Sequence, residues 1–593
     1  MISAVARAQI GERRGWLRFS NPRSSIVADR LDEVRPALER IEAEVNAGRW
    51  AVGLVSYDAG PAFDMAIRSH RDATVPLVHF GIFDPSNVAE SDPVGGSFWL
   101  GPRRPLISRN NFEEGVRSVH RFIEAGDTYQ VNLTLRLGAR FAGDPEGLFA
   151  ALATAQQGEH EALLDLGDTA VCSASPELFF THHANGSLVS KPMKGTRPAG
   201  TPHEELTGSL KDQAENTMIV DMMRNDFGRI AEIGSVEVPK LHEVEEYPTV
   251  IQMTSTVTAR SKVGLADLFA ATFPPASITG APKIRTTEII TELETQPRGV
   301  YTGSIGVLAP SLPGAGIERR SEWNVAIRTV WIDKAAGRAT YGVGGGIVWD
   351  SDPAEEWNET RVKSRVLLHA DQKFELIESL RFSPDEPSLA DDHGYWLLDL
   401  HLDRLLRSAE FFQFRFDPEY IRAELVDMHP PSAAKVRLLL NPSGGVSITH
   451  APLGATGHFG LEPPTAGIRK PVVIDSVPVM ANDPFLAHKT THRTIYDRAG
   501  ARNAGAADVI LVNSTGCVTE SLSANLVIRD DSGRLLTPPS SSGLLPGVFR
   551  RHLLVNTALL EEPITTDELR RAADQANAWL INSVRGWVPL TLT

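Results

Sequence analysis

Cysteine is almost missing from this chain: two among 593 residues, Cys172 and Cys517. Two thiols this far apart build no disulfide framework, and neither has metal-ligand spacing, so a reduced, cytoplasmic protein is expected. Basic runs are missing as well, and a net charge of −15 argues against a nucleic-acid binder. No apolar stretch approaches the length that spans a bilayer. The opening Met1 to Trp16 carries only a short apolar run broken by arginines, without the core of a signal peptide. What remains is an ordinary globular composition, 42% hydrophobic and 22% charged. At this length a single hydrophobic core is too small a unit, and two or more domains are expected.

The stretch that stands out is Lys191-Pro192-Met193-Lys194-Gly195-Thr196-Arg197-Pro198-Ala199-Gly200. Prolines on both sides stiffen it, so it reads as a shaped loop. A lysine held in such a loop can serve as a nucleophile if its surroundings favour the free amine. Taken alone, the stretch is equally a basic surface turn.

Its neighbours carry more information. Trp50 to Tyr57 is a buried-strand candidate, and Phe112, Val116, Val119 and Ile123 mark one face of a helix ending before Gly126. From Tyr129 to Leu137 apolar and polar residues alternate, which predicts a half-buried antiparallel strand with Gln130, Asn132, Thr134 and Arg136 on its polar face. Asp212 and Glu215 stand three apart in a helical stretch whose apolar face is Ala214, Met218 and Met222, with Ile219 beside it. Glu356 and Glu359 share the same spacing, which puts each pair on one helix face. Two such faces across one cavity would form a hard oxygen site suited to Mg²⁺; singly, each is also what a solvated helix face looks like. The Gly344-Gly345-Gly346 run permits close backbone approach to a ligand, or a sheet bulge.

In order, Ser173–Phe180 with Glu177, the Lys194 stretch, Lys211–Asp226, Ser277–Lys283, Ala326–Thr329 and the glycine run followed by Glu356 and Glu359 resemble the chorismate-binding enzymes over roughly residues 45 to 365. These are anthranilate synthase, aminodeoxychorismate synthase component I and the isochorismate synthases. The resemblance implies Mg²⁺ held by Glu215 and Glu356, with Asp212 and Glu359 outside them. It implies Arg328 as the bidentate partner of a substrate carboxylate, with Thr279, Lys283, Gly344 and Gly345 beside the substrate. Within the family, lysine at the Lys194 position resembles the aminodeoxychorismate synthases, where anthranilate synthases carry a small residue. Gln130 stands where water-adding relatives carry a lysine base, which counts against isochorismate synthesis. Glu177 is then the general acid and base.

A second pattern begins at Phe374 and runs through His401-Leu402-Asp403-Arg404-Leu405, His488-Lys489-Thr490, Thr519-Glu520-Ser521, Leu544-Leu545-Pro546-Gly547-Val548 and Asn582-Ser583-Val584-Arg585-Gly586. It is similar to the fold-type IV pyridoxal-phosphate enzymes. The resemblance implies pyridoxal 5'-phosphate attached to Lys489, with Glu520 keeping its ring nitrogen protonated. Arg404, the amides of Gly547 and Val548, and the Ser583 hydroxyl would hold the phosphate. Without that resemblance, Lys489 sits in a basic cluster with His488, His492 and Arg493. One departure is visible: Phe549 stands where many relatives have threonine.

The expected architecture is therefore mixed, α+β and α/β. A chorismate-binding domain of antiparallel sheets packed with helices (residues 1–368) precedes a fold-type IV domain (373–593). The expected activity is a fusion of two consecutive steps, chorismate and ammonia to 4-amino-4-deoxychorismate, then loss of pyruvate to give 4-aminobenzoate, the folate precursor. Neither cysteine lies in a Gly-x-Cys-x-Gly elbow, so ammonia would come from a separate glutamine amidotransferase subunit or from solution. A homodimer through the C-terminal domain is a further expectation. The rival readings are an anthranilate synthase component joined to a class IV aminotransferase, or one domain acting as an inactive scaffold.

Overall fold

The run Trp50–Val55 forms a strand buried at all six positions, which requires cover on both faces of its sheet. In the computed structural model, which describes residues 2–10, 13–247, 250–386 and 393–593, this strand lies between Ser304–Ala309 and Val78–Phe83 in an antiparallel sheet. Met1 and residues 11–12 of the N-terminal stretch fall outside the described residues. The chain divides between Asp371 and Gln372 into two units.

In the first unit two large antiparallel sheets pack face to face. Phe19 and Leu164 of one and Trp50, Leu54 and Ile305 of the other share a single core. The outer face of the Trp50 sheet is covered by the helices Leu31–Asn46, Leu210–Gly228 and Leu265–Thr272, through Leu38, Val220 and Phe269. The helices Arg109–Glu124 and Pro145–Gln156 cover the outer face of the other sheet, through Phe112, Val116 and Leu148. Ser108 caps the first of these by accepting from the Asn111 amide.

Four local readings need correction. The strand after Gly126 runs from Gln130 to Gly143, but it is not half-buried: Gln130, Asn132, Thr134 and Arg136 are all buried. Its polar face meets a charged interior, not water. The Lys194 stretch is no loop; Met193–Pro198 is a strand against Val250–Arg260, with its register broken between Met193 and Thr196. Gly195 occupies the break at φ +87°, a backbone that favours glycine. In the helix Leu210–Gly228 the buried face is Ile219, Val220, Met223 and Phe227, while Ala214 is exposed and Met218 and Met222 are half-buried. The packed face is set by contact with the sheet at Val220, Met223 and Phe227. The glycine run lies inside the regular strand Arg338–Ile347, paired residue for residue with Arg140 to Val131, so it makes no bulge.

The second unit combines a three-stranded antiparallel sheet (Leu376–Phe382, Ala434–Leu440, Val446–Pro452), packed on the helix Leu398–Phe412, with a larger mixed sheet. In the latter, Lys470–Ile474 pairs parallel with both Val509–Val512 and Gly586–Leu592. Its core gathers Val472, Ile510, Leu526 and Leu580 under the helix Thr566–Asp574.

Candidate active sites

Gly346 is where the two sheets of the first unit present chemistry to each other. It pairs with Asn132 across the sheet, and a Cβ added there would lie 2.6 Å from Lys194 Nζ and 2.8 Å from Gln130 Nε2. Only bare backbone leaves room for both. Lys194 Nζ in turn lies 3.2 Å from Glu215 Oε2. At Gly345 an added Cβ would stand 3.3 Å from Glu356 Oε2 and 3.7 Å from Glu359 Oε1. Both carboxylates come from the helix Pro353–Lys363, which Asp352 caps by accepting from the Ala354 and Glu355 amides. Lys363 locks that helix to the glycine run, donating to the Gly344 carbonyl at 2.9 Å and pairing with Glu359 at 2.7 Å.

Glu177 completes the group. It is buried, accepts from the Ser277 hydroxyl at 2.7 Å, and is close enough to Lys194 to feel its charge. Burial pushes its carboxyl up to about 7, against the pull of Ser277 and Lys194. A carboxyl in that range can give and take a proton near neutral pH. Glu356 is also raised, first by burial and then by the charge of Glu359.

The four predicted metal-site carboxylates have protein partners. Asp212 accepts from Arg197 at 2.6 Å, Glu215 faces Lys194, Glu356 accepts from Ser351 at 2.7 Å, and Glu359 faces Lys363. Among the described residues no group of three or more acidic, histidine or cysteine side chains is gathered closely enough to hold a metal ion. At Gly345 Glu359 is paired with Lys363, whose Nζ would stand 3.5 Å from the same added Cβ, so Glu356, held only by a hydroxyl, is the carboxylate there that fits a hydrated hard cation taking its other oxygens from water and substrate.

The remaining predicted contacts are engaged by protein partners. Lys283 is committed to Asp226 at 2.8 Å and to the Thr272 carbonyl at 2.9 Å. The Thr279 hydroxyl donates back to Pro275, while its carbonyl accepts from the Asn132 amide at 2.7 Å. Arg328 is half-buried with φ +50° and donates to Gln156. Sequence reasoning missed Ser277 and a buried pair beneath the site: Arg298 is held by Glu294 and donates to the carbonyls of Ile278 and Asn132. It thereby ties the residue after Ser277 to the strand opposite Gly346.

In the second unit, Lys489 is tied to the small sheet, its carbonyl accepting from the Ile377 amide at 2.9 Å. Withdrawal of its amine from solvent, assisted by Arg404, pushes it down to about 8. Glu520 receives three donors: the Tyr496 hydroxyl at 2.8 Å, the Leu545 amide at 3.0 Å and Asn525 Nδ2 at 3.2 Å. Burial still raises it to about 7, and a cation at its side is the partner that would reverse this. Arg404 is gripped by both oxygens of Glu378, at 2.9 and 2.7 Å, and reaches the Pro546 carbonyl at 3.5 Å. Glu378 also engages His401, which the sequence did not single out in a role. Arg404 therefore stands beside Gly547, the N-cap of the helix Val548–Asn556, whose first amides have no partner within the helix. Ser583 is buried in the turn before Gly586. Phe549 packs into the core against Trp396 and Trp587, which explains why a hydroxyl is dispensable there. A deprotonatable buried lysine, a braced carboxylate and a cationic helix start fit pyridoxal 5'-phosphate.

The chorismate binding enzyme family model matches residues 7–369, and that of the class IV amino-transferases matches residues 375–592. Aminodeoxychorismate synthase component 1 of Klebsiella aerogenes is 38% identical over 356 residues, 54% of this chain and 76% of that protein. The protein of the same name from Escherichia coli is 34% identical over 390 residues, 59% of this chain and 84% of its own length. An anthranilate synthase component 1 of Haloarcula marismortui is 40% identical over 272 residues, covering 44% of this chain and 54% of that protein. By the extent of the first match, the chain belongs to the chorismate binding enzyme family, and it carries a class IV amino-transferase domain fused behind it.

Proposed function

We propose that the chain makes 4-aminobenzoate in two steps. The first unit aminates chorismate to 4-amino-4-deoxychorismate, and the second removes pyruvate from that product. The observation that carries this reading is Lys194 Nζ set over Gly346, between Glu215 and Gln130, with Glu177 near it. Lys194 attacks C2 of the ring while the C4–O bond breaks, and Glu177 gives its proton to the departing hydroxyl. Ammonia then forms the C4–N bond as the C2–N bond to Lys194 breaks, and Glu177 takes a proton from the incoming nitrogen. The double bonds shift once in each direction, so amination proceeds with overall retention at C4. The similarity to proteins named component 1 supports ammonia delivery by a separate amidotransferase. Glu215 and Glu356 would hold Mg²⁺, which would neutralise substrate carboxylate charge. Two free cysteines agree with a cytoplasmic location, and a dimer through the second unit belongs to the same reading.

In the second unit Lys489, Glu520, Arg404 and the Gly547 and Val548 amides would hold pyridoxal 5'-phosphate, with Ser583 at the phosphate. Bound there, the cofactor supplies an electron sink at the carbon bearing the substrate amine. Lys489, with its amine near neutrality, moves the proton from that carbon. The ether C–O bond breaks, the ring becomes aromatic, and the departing enolpyruvate takes up a proton at its methylene carbon to become pyruvate.

The test uses the full chain with chorismate, ammonium and Mg²⁺, and follows both products. Wild type should release 4-aminobenzoate; Lys489→Ala should stop at 4-amino-4-deoxychorismate. Accumulation of 2-aminobenzoate instead would establish the anthranilate synthase reading.

A further inference from the structure

Nothing so far assigns a residue of the second unit to its substrate's carboxylates, and one buried arginine there has no use in the cofactor site. Arg381 is 4% exposed, yet among the described residues its Nε and Nη1 have no hydrogen-bond partner. Its Nη2 is engaged by the half-exposed Glu386 at 3.0 Å. The guanidinium lies 4.5 Å from the Phe459 ring centroid, and Phe459 packs edge-on against Trp396. The group is thus held rigidly with two donor positions empty, although an unmet buried donor is costly.

The surroundings of Arg381 are cationic. In the small sheet Arg381 pairs directly with Lys435, and Ser379 with Arg437. Successive strand residues alternate faces, so these four share the face opposite Glu378 and the helix Leu398–Phe412. Beside it opens a cavity of about 890 Å³ lined by Lys435, Arg469 and Arg585 among others. None of Lys435, Arg437, Arg469 and Arg585 has an ion-pair partner among the described residues; the cavity's Asp508 is taken by Lys470 at 2.6 Å. Burial and then the charges of Arg585 and Arg437 lower Lys435, as expected of cations lacking a counterion. The same cavity reaches Ala524 and the Asn582–Arg585 turn, which flank Glu520 and Ser583.

We infer that this basic face is the carboxylate pocket of the second unit, with Arg381 as its fixed bidentate donor and Lys435 as its mobile cation. The ligand class is a small cyclic dicarboxylate. This rests on the lyase reading above, whose substrate carries one carboxylate on the ring and another on the departing enolpyruvyl group. A planar guanidinium with two adjacent donors free matches one carboxylate, and the solvent-side lysine suits the other.

The experiment uses the full, cofactor-loaded chain and supplied 4-amino-4-deoxychorismate. Arg381→Met should raise KM for 4-aminobenzoate release by roughly 10–100-fold with kcat within about threefold. Arg381→Lys should recover part of the loss. Lys435 is exposed, so Lys435→Gln tests the face without risk to the core and should raise KM several-fold. Chorismate consumption by the first unit and the absorbance of bound cofactor should stay as in wild type. In parallel, isophthalate (benzene-1,3-dicarboxylate) is titrated by thermal shift into wild type and Arg381→Met, each with its cofactor. A stabilisation present in wild type and reduced in Arg381→Met supports the pocket even if no 4-aminobenzoate is formed, an outcome that removes only the lyase reading. Identical isophthalate titrations, or an unchanged KM in Arg381→Met and Lys435→Gln, overturn the inference.

Discussion

In the proposed mechanism Glu177 is the group whose protonation the first unit depends on, and its Ser277 donor makes that dependence measurable. Ser277 Oγ donates to Glu177 Oε1 at 2.7 Å; Ser277→Ala removes this donor and little else. A hydrogen bond to a charged group contributes roughly 1.5–3 kcal/mol, and one pH unit corresponds to about 1.4 kcal/mol. The variant should therefore raise Glu177 from about 7 by roughly one to two units. As the acid of the first displacement, Glu177 must be protonated in the free enzyme. kcat/KM for chorismate should then fall as pH rises through about 7 in wild type, and Ser277→Ala should move that fall upward. The assay is chorismate consumption across pH with free ammonia held constant. The same shift has a stability sign. A carboxyl raised in the folded state binds more protons folded than unfolded, so it favours folding at low pH. That advantage is lost between its usual 4.5 and about 7, a loss on the order of 3 kcal/mol. Glu177→Gln should thus gain thermal stability relative to wild type above neutrality and not below pH 4. An alkaline limb unmoved in Ser277→Ala would refute the assignment of Glu177 as the acid.

Two further outcomes follow from the same geometry. Lys194→Arg keeps a cation beside Glu215 but removes the nucleophile, so it should lose at least 10³-fold in 4-amino-4-deoxychorismate formation, on the order of 4 kcal/mol; wild type supplied with chorismate but no ammonia should carry a mass-spectrometric adduct on the Lys194 peptide. Retained turnover in Lys194→Arg and a bare peptide would show that the lysine acts by charge alone. Glu356→Gln keeps the Ser351 contact but removes one of the two proposed Mg²⁺ carboxylates; it should weaken the Mg²⁺ requirement curve by about tenfold or more and leave release of 4-aminobenzoate from supplied 4-amino-4-deoxychorismate untouched. Chorismate turnover that persists in excess EDTA would remove the metal from the site.

Spacing along one element was legible from the sequence, and contact between elements was not. The two carboxylate pairs and the buried face and glycine-marked end of the helix Arg109–Glu124 depend on periodicity within a few residues. The alternating strand from Gln130 misled because alternation reports two kinds of face and cannot tell water from a polar interior. Here the second face meets Lys194 across Gly346 and the Glu294–Arg298 pair below. Lys283 shows the converse. Its motif places it near Ser277 in the chain, yet its amine is spent on Asp226, 57 residues away, whose burial requires a partner. Ser277 and Tyr496 were beyond reach for a similar reason: each acts through a carboxylate contributed by a distant segment.

Among the described residues, three of the buried polar side chains left without a partner stand beside the candidate sites. Gln130 is fully buried with neither amide atom hydrogen-bonded, and it lies against the same bare glycine as Lys194. His401 uses one ring nitrogen on Glu378 and has no partner for the other, while Glu378 holds Arg404 beside the helix start at Gly547. Arg381 has two empty donors on the opposite face of the same sheet. An orphaned group of this kind costs roughly 1–3 kcal/mol, a cost that a bound water or ligand removes. These three belong to different elements, yet each stands one residue contact from a group assigned by resemblance or from the cation-lined cavity. Gln130 can offer its amide nitrogen or its oxygen to substrate beside Lys194, where a lysine would present a second cation and hold the nucleophile in its free-amine form. A neutral residue at this position leaves Glu215, 3.2 Å from Nζ, as the near counter-charge of Lys194.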